Sequence, residues 1–259
     1  MTTQPIENYR ILISEILKYS PELPIANGSD LYVCDRHNAL FEKNCQCTEH
    51  IFTKNIENEK DKIELESVTS FFTELEDNRN CENVFISCSD IRSIYEQVRK
   101  MERDASLLCE CQECKGTGYV YYEYRSKNGK RYYLKEICPV CEESGKVISP
   151  ENSVFVNLLG WYISSETLRQ LVSVLDFYCP EEPSGSNAIQ QDRIEVIRRP
   201  TDYGEKFTSE VDSCKAYLLK INEDIRFGMF ALDKSTYVDD SSIRTIRIKD
   251  CRIVELKTL

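Results

Sequence analysis

Near the start of the chain, apolar residues recur at helical spacing. Ile6, Tyr9, Ile13, Ile16 and Leu17 share one face, which predicts a helix over 6–19. Pro21 and Pro24 stop it, and Asn27-Gly28 marks a turn before a short strand at Leu31-Tyr-Val-Cys34. Between Ile63 and Leu75 an extended start is expected to lead into a helix carrying Val68, Phe71, Phe72 and Leu75. Asn83-Val-Phe-Ile-Ser87 reads as a strand that runs into a clearer helix. Its stripe is Ile91, Ile94, Tyr95, Val98 and Met101, with Ser87 or Ser89 as the cap. Trp161-Tyr-Ile163 opens a further strand-to-helix unit, with Ser164 as the cap and Leu168, Leu171, Val172 and Leu175 facing inward. Each stripe has the width of a core-facing helix surface, so these residues are assigned to packing.

Pro180-Glu-Glu-Pro-Ser-Gly-Ser-Asn187 reads as a surface loop. Three strands are expected after it, at Arg193–Arg198, Ala216–Ile221 and Ile225–Leu232, with Asn222-Glu-Asp-Ile225 turning the last two. The stretch 243–256 is β-rich and is expected to add an edge. The fold class is α+β, and strand-to-helix units recur only loosely, without a fixed repeat period.

A chain of 259 residues with 41% hydrophobic and 30% charged content can bury one large core or two modest ones. No apolar run approaches the roughly 18 residues that span a bilayer, so no membrane partner is expected. The start, Met1-Thr-Thr-Gln-Pro-Ile-Glu7, has neither a basic region nor an apolar stretch, so a cytoplasmic protein is expected. The formal charge of −11 argues against a surface that coats nucleic acid as a whole. A local basic surface on an acidic body remains compatible with it.

Thirteen cysteines stand out. In a reducing compartment, paired C-x-x-C units are metal ligands or redox centres before they are disulfides. Cys111-Gln-Glu-Cys114-Lys-Gly-Thr-Gly118 is a complete C-x-x-C-x-G-x-G unit, and Cys138-Pro-Val-Cys141-Glu-Glu-Ser-Gly145 is a degraded second one. Four thiolates form the closed tetrahedral set that structural zinc prefers, so Cys111, Cys114, Cys138 and Cys141 are the expected ligands of one Zn²⁺. A redox dithiol at Cys138 and Cys141 is the rival reading, but it would not call for a matching C-x-x-C upstream. Cys109 lies next to the set and is an alternative to Cys111. Cys34, Cys45, Cys47 and His50 are candidates for a second site, although C-x-C spacing suits structural zinc poorly. Cys81, Cys88, Cys179, Cys214 and Cys251 stand alone and are read as small buried apolar residues.

Between the two units, Asn128-Gly129 is flanked by β-formers, a strong hairpin signal. Pairing outward from a two-residue turn sets Tyr124 near Tyr133 and Arg125 near Tyr132, and brings both C-x-x-C units to the open end. From Tyr119 to Ile137 there are five basic residues against two glutamates, and six of the fifteen tyrosines. Basic residues interleaved with aromatics suit nucleic-acid backbones and stacked bases. Arg125, Lys127, Lys130, Arg131, Tyr124 and Tyr133 are the candidate contacts for DNA or for a partner protein. The plainer account is that tyrosine favours strands and charge keeps an exposed ribbon soluble.

This knuckle–hairpin–knuckle unit resembles half of the cysteine-rich zinc domain of the DnaJ co-chaperones. Glu143 stands at the first glycine position of the second unit. No J-domain His-Pro-Asp signature occurs, so stimulation of a chaperone ATPase is not implied. Leu31-Tyr-Val-Cys-Asp35-Arg-His37-Asn-Ala-Leu40 is similar to the strand of bacterial DNA sliding clamps that ends Ala-Thr-Asp-Gly-His-Arg-Leu-Ala. Asp35 and His37 match, and Asn38 stands where the clamps have arginine. The unit from Phe155 to Leu232 has the strand–helix–three-strand order of half a clamp domain. The resemblance implies clamp-like halves at 1–108 and 149–259, with a zinc-binding β-hairpin inserted at 109–148. It also implies a non-enzymatic DNA accessory role, in the manner of phage and mobile-element proteins. The alternative is a protein-interaction module that holds a partner through the hairpin.

Enzymatic chemistry finds little material. His37 and His50 are the only histidines, and His37 is read as a hydrogen-bonded turn residue. Neither a phosphate-cradling loop, a G-x-S-x-G elbow nor His-Glu-x-x-His occurs.

Overall fold

The computed structural model describes residues 3–17, 23–35, 38–47, 51–54, 56–104, 106, 108–149, 152–180, 192–200, 215–232, 237–239 and 244–259. The elements run α1 (Thr3–Ile16), β1 (Ile25–Asn27), β2 (Asp30–Cys34), β3 (Asn38–Glu42), α2 (Glu59–Asp77), β4 (Phe85–Ser87) and α3 (Cys88–Glu102). Next come β5 (Leu108–Glu110), β6 (Tyr119–Arg125), β7 (Arg131–Ile137) and β8 (Lys146–Ile148). They are followed by β9 (Val154–Leu158), β10 (Trp161–Ser164), α4 (Ser165–Tyr178), β11 (Arg193–Arg198), β12 (Ala216–Lys220) and β13 (Ile225–Phe230). The chain closes with β14 (Tyr237–Asp239), β15 (Arg244–Ile246), a 3₁₀ turn at Ile248–Asp250 and β16 (Arg252–Leu256). The fold is α+β. No described helix is long and apolar enough to cross a membrane.

The chain divides into two compact units. One is Met1–Glu96 with Val156–Asp233 and Val254–Leu259; the other is Gln97–Phe155 with Lys234–Ile253. In the first unit a seven-stranded sheet has the order β1-β2-β3-β13-β12-β11-β4. Its strands come from both sides of the hairpin segment: β3 pairs with β13 and β4 pairs with β11, each antiparallel. The regions 1–108 and 149–259 therefore build one sheet together.

Side chains alternate across that sheet. Tyr32, Ala39, Ile197, Ala216 and Leu218 pack with Phe71, Phe72 and Leu75 of α2. Their neighbours Leu31, Val33, Leu40, Val196, Leu219 and Phe227, on the opposite face, are buried as well, so the sheet is covered on both sides. On α4 the residues expected inward, Leu168, Leu171, Val172 and Leu175, are buried, and α1 packs against this helix. Ser164 caps α4 by accepting from the Thr167 amide at 3.1 Å, and Ser87 caps α3 by accepting from Asp90 at 3.4 Å.

The segment before Val68 departs from expectation. The expected extended start at Ile63 is already helical; α2 starts at Glu59, with Asn58 Oδ1 accepting from the Asp61 amide at 3.0 Å. The alternation of Ile63 and Leu65 imitates a strand, but Ile63 is 60% exposed. A cap with Glu59 and Asp61 in the first turn satisfies the orphan amides and the helix dipole, and that local gain prevails. The expected loop at 180–187 falls almost wholly outside the described residues.

Candidate metal centre and hairpin

The two C-x-x-C units are brought together. Cys111, Cys114, Cys138 and Cys141 are buried, and their sulfurs all lie within 4.8 Å of one another. Cys111 Sγ is 3.8 Å from Cys138 Sγ, and Cys114 Sγ is 3.6 Å from Cys141 Sγ. Sulfurs about 2.3 Å from a tetrahedral zinc are about 3.8 Å apart, so the donor set and its spacing fit a closed four-thiolate site. Cys109 lies in the β5–β8 ladder opposite Val147 and is not in the group.

The two knuckles are copies related by 27 residues, the separation of Cys111 from Cys138 and of Cys114 from Cys141. The Cys138 amide donates to the Gly118 carbonyl at 2.9 Å, and the Cys111 amide to the Gly145 carbonyl at 2.9 Å. Gly118 N–H donates to Cys114 Sγ at 3.2 Å, and Gly145 N–H donates to Cys141 Sγ at 3.3 Å. Thr117 Oγ1 donates to the Cys114 carbonyl at 2.7 Å, and Ser144 Oγ to the Cys141 carbonyl at 2.6 Å. Val120 and Val147, also 27 apart, cover the sulfurs. These hydroxyls are no part of the C-x-x-C-x-G-x-G pattern, yet they are legible as a shared C-x-x-C-x-x-[S/T]-G.

The degraded glycine position is conformationally intact. Glu143 has φ 77° where Gly116 has φ 74°, and Lys115 and Glu142 pair likewise at 51° and 48°. The second knuckle accepts left-handed backbone at a side-chain-bearing residue, a cost of about 1 kcal/mol. Glu143 in return accepts from the Tyr119 hydroxyl.

Protonation differs among these thiols. Burial pushes Cys111 up and takes Cys141 up to about 12. Burial also pushes Cys114 up, but the Gly118 amide and the neighbouring thiols outweigh it and bring Cys114 to about 7. Entry of a metal must displace the protons that the raised thiols hold, so acid opposes binding.

Above the knuckles, β6 and β7 pair from Tyr119↔Ile137 to Arg125↔Arg131. The register is one residue away from the expected one: Tyr124 faces Tyr132, and Arg125 faces Arg131. Instead of a two-residue turn, Lys127, Asn128 and Gly129 form the loop. Ser126 N–H donates to the Lys130 carbonyl at 2.9 Å, and Gly129 N–H to the Ser126 carbonyl at 2.9 Å. Gly129 alone of the three takes positive φ, at 75°.

This register sorts the ribbon into two faces. One carries Tyr119, Tyr121, Glu123, Arg125, Arg131, Tyr133, Lys135 and Ile137. The other carries Val120, Tyr122, Tyr124, Tyr132, Leu134 and Glu136, with no cation. Of the candidate contacts, Arg125, Arg131 and Tyr133 share the first face, Lys127 and Lys130 sit at the tip, and Tyr124 is on the second. Tyr133 is 66% exposed and Tyr124 61%. Glu123 Oε1 lies 3.5 Å from Arg125 Nε and 3.3 Å from Arg131 Nε. Lys135 Nζ sits 3.7 Å above the Tyr119 ring.

Residues carrying the clamp resemblance sit elsewhere. Asp35 closes the β2–β3 turn, with Oδ1 accepting from the Asn38 amide at 2.6 Å and Oδ2 from Gln170 Nε2 at 3.0 Å. Asn38 is 2% exposed and bonds Gln170, so it is no surface contact. His37 and His50 lie outside the described residues. Cys45 donates to the Tyr9 hydroxyl at 3.4 Å, within a network in which Tyr9 and Tyr178 both bond Glu42. Among the described residues the four-cysteine group is the only cluster of metal-ligating side chains.

Comparison with known proteins adds one likeness. The chain is weakly similar to bacterial sliding clamps. The β subunit of DNA polymerase III from Thermotoga maritima aligns with a TM-score of 0.32 and 12% identity, over 90% of this chain and 64% of that one. The DNA polymerase sliding clamp from Bacillus subtilis aligns with a TM-score of 0.31 and 10% identity, over 91% of this chain and 65% of that one. This chain thus spans less than two thirds of the length of either. No protein-family model and no curated protein matches it.

Proposed function

We propose that this chain is a non-enzymatic, zinc-containing, DNA-associated accessory protein whose hairpin is its contact arm. The observation that carries the reading is the ribbon face on which Arg125, Arg131 and Lys135 alternate with Tyr119, Tyr121 and Tyr133, with Lys127 and Lys130 at the tip. Cations on phosphates supply affinity, and exposed rings stack on bases. One zinc held by Cys111, Cys114, Cys138 and Cys141 has every coordination position filled by protein, so its role is to fasten the base of the arm. In this reading the protein is cytoplasmic and of the phage or mobile-element kind. The arm, 109–148, is an insertion into a clamp-like scaffold.

The test is DNA binding by fluorescence anisotropy, with single-stranded and duplex oligonucleotides over a salt series. The Arg125→Ala/Lys130→Ala/Arg131→Ala variant is expected to bind about 10- to 100-fold more weakly, and its salt dependence to flatten by about three charges. An absence of binding at low salt, or an unchanged affinity in the variant, refutes the reading. A second prediction follows from the carboxylate between the arginines. Glu123→Gln releases two exposed ion pairs worth about 0.2–1 kcal/mol each, so DNA affinity is expected to rise about two- to five-fold with little change in melting temperature.

The opposite face favours a second reading, capture of a partner protein. Tyr122, Tyr124, Tyr132 and Leu134 are exposed there with no cation among them, and the Tyr124 and Tyr132 rings lie 5.7 Å apart. Co-purification of one protein, resistant to nuclease and lost in Tyr124→Ser/Leu134→Ser, would support this reading over DNA.

A further inference from the structure

Two cysteines read as isolated are in fact neighbours. Cys88 opens α3 and Cys179 ends α4. Arg92, one turn beyond Cys88, crosses to the end of α4. Its Nε donates to Asp176 Oδ1 at 2.8 Å, and its Nη2 to the Cys179 carbonyl at 2.6 Å and the Leu175 carbonyl at 3.3 Å. The Cys88 amide is held by the Asp192 carbonyl at 2.9 Å. The Arg92 bonds hold the start of α3 against the end of α4, and there the Cys88 and Cys179 side chains are close enough to shift each other's ionisation. Cys88 is 1% and Cys179 8% exposed. Both are thiols here, and the zinc set uses neither.

We propose that Cys88 and Cys179 form a peroxide-responsive dithiol, which closes to a disulfide joining the start of α3 to the end of α4. Cys179 is the attacking sulfur. The neighbouring Cys88 thiol and, against the effect of burial, the Arg92 guanidinium hold it below the usual thiol range, whereas the Cys179 side chain and burial push Cys88 up. A thiolate beside a guanidinium is the more nucleophilic of such a pair. The Cys179 thiolate attacks one oxygen of hydrogen peroxide, the O–O bond breaks, and the hydroxide released takes up a proton to leave as water. Cys179 is then a sulfenic acid. The Cys88 sulfur attacks it and gives up its proton, the S–O bond breaks, and a second water leaves. Two thiols and one peroxide thus yield one disulfide and two waters; sulfur is oxidised and peroxide oxygen reduced.

The experiment uses the full, zinc-loaded chain. It is exposed to graded hydrogen peroxide, alkylated, and mapped by mass spectrometry without reduction. The expected product is a linked peptide containing Cys88 and Cys179, lighter by two hydrogens, reversed by a thiol reductant and formed at peroxide doses below those that release zinc. The oxidised chain is also expected to melt at a higher temperature. In Cys88→Ser, which lacks the resolving sulfur, Cys179 is expected to be trapped as a dimedone adduct. The proposal is overturned if Cys88 and Cys179 both remain alkylatable at doses that oxidise the zinc thiolates, or if either links mainly to another cysteine. The wild-type map decides even if the variant does not fold.

Discussion

Chelation of the metal, or Cys138→Ser, is expected to melt the segment 108–148 while leaving the seven-stranded sheet folded. The β7 side chains of the hairpin are all exposed, and among the described residues the buried cluster at its base is the four cysteines, with Val120 and Val147 partly buried against them. A two-stranded ribbon alone is marginal in water, whereas a structural zinc contributes on the order of 10 kcal/mol to the folding of what it fastens. Elemental analysis should return one zinc per chain. Hydrogen exchange should then show the amides of Gly118 and Gly145, which bond the sulfurs, losing protection when zinc is removed. The sheet core contains none of these cysteines, so its unfolding transition should persist. Retained protection at 108–148 in metal-free protein would refute the account. Zinc release is also expected on acidification, because protons return first to the thiols that burial raises, Cys141 above all.

Gly118→Ala and Gly145→Ala are expected to be nearly as damaging, and far worse than Gly129→Ala. A Cβ on Gly118 would lie 2.2 Å from the Glu143 carbonyl oxygen, and one on Gly145 would lie 2.2 Å from that of Gly116. Each knuckle thus presses its glycine against the backbone of the other, and relief means parting the two C-x-x-C units. A cost above about 3 kcal/mol is expected, read as a zinc affinity lower by about 100-fold or more in a competition titration with a chromophoric chelator. Gly129 has nothing within 4 Å, so alanine there costs only the left-handed backbone, about 1 kcal/mol. Equal effects at positions 118 and 129 would mean that the knuckles are not in contact.

The four-cysteine cluster is legible in the sequence because two C-x-x-C spacings and a turn signal between them impose one geometry. The register is not. Asn128-Gly129 suits a two-residue turn, and only the Ser126–Lys130 bonds show the loop to be longer. That single residue decides which tyrosines share a face with the arginines. The α2 start is hidden in the sequence because the Ile63/Leu65 alternation masks the cap at Asn58. For β11, β12 and β13 the strand positions follow from apolar patterning, but their pairing with β4 and β3 joins residues more than a hundred positions apart, which local pattern does not encode. Cys88 and Cys179 look isolated in the sequence for the same reason: the helix ends that bring them together are distant along the chain.

Leu108 pairs with Ile148 in the short β5–β8 ladder, which places the entry and exit of the arm about 5 Å apart. Excising what lies between them leaves a gap that one or two small residues can span. The proposed insertion is therefore expected to behave as a detachable cassette, to be cut away to ask what the scaffold does alone, or grafted into a hairpin loop of an unrelated protein with its four cysteines intact.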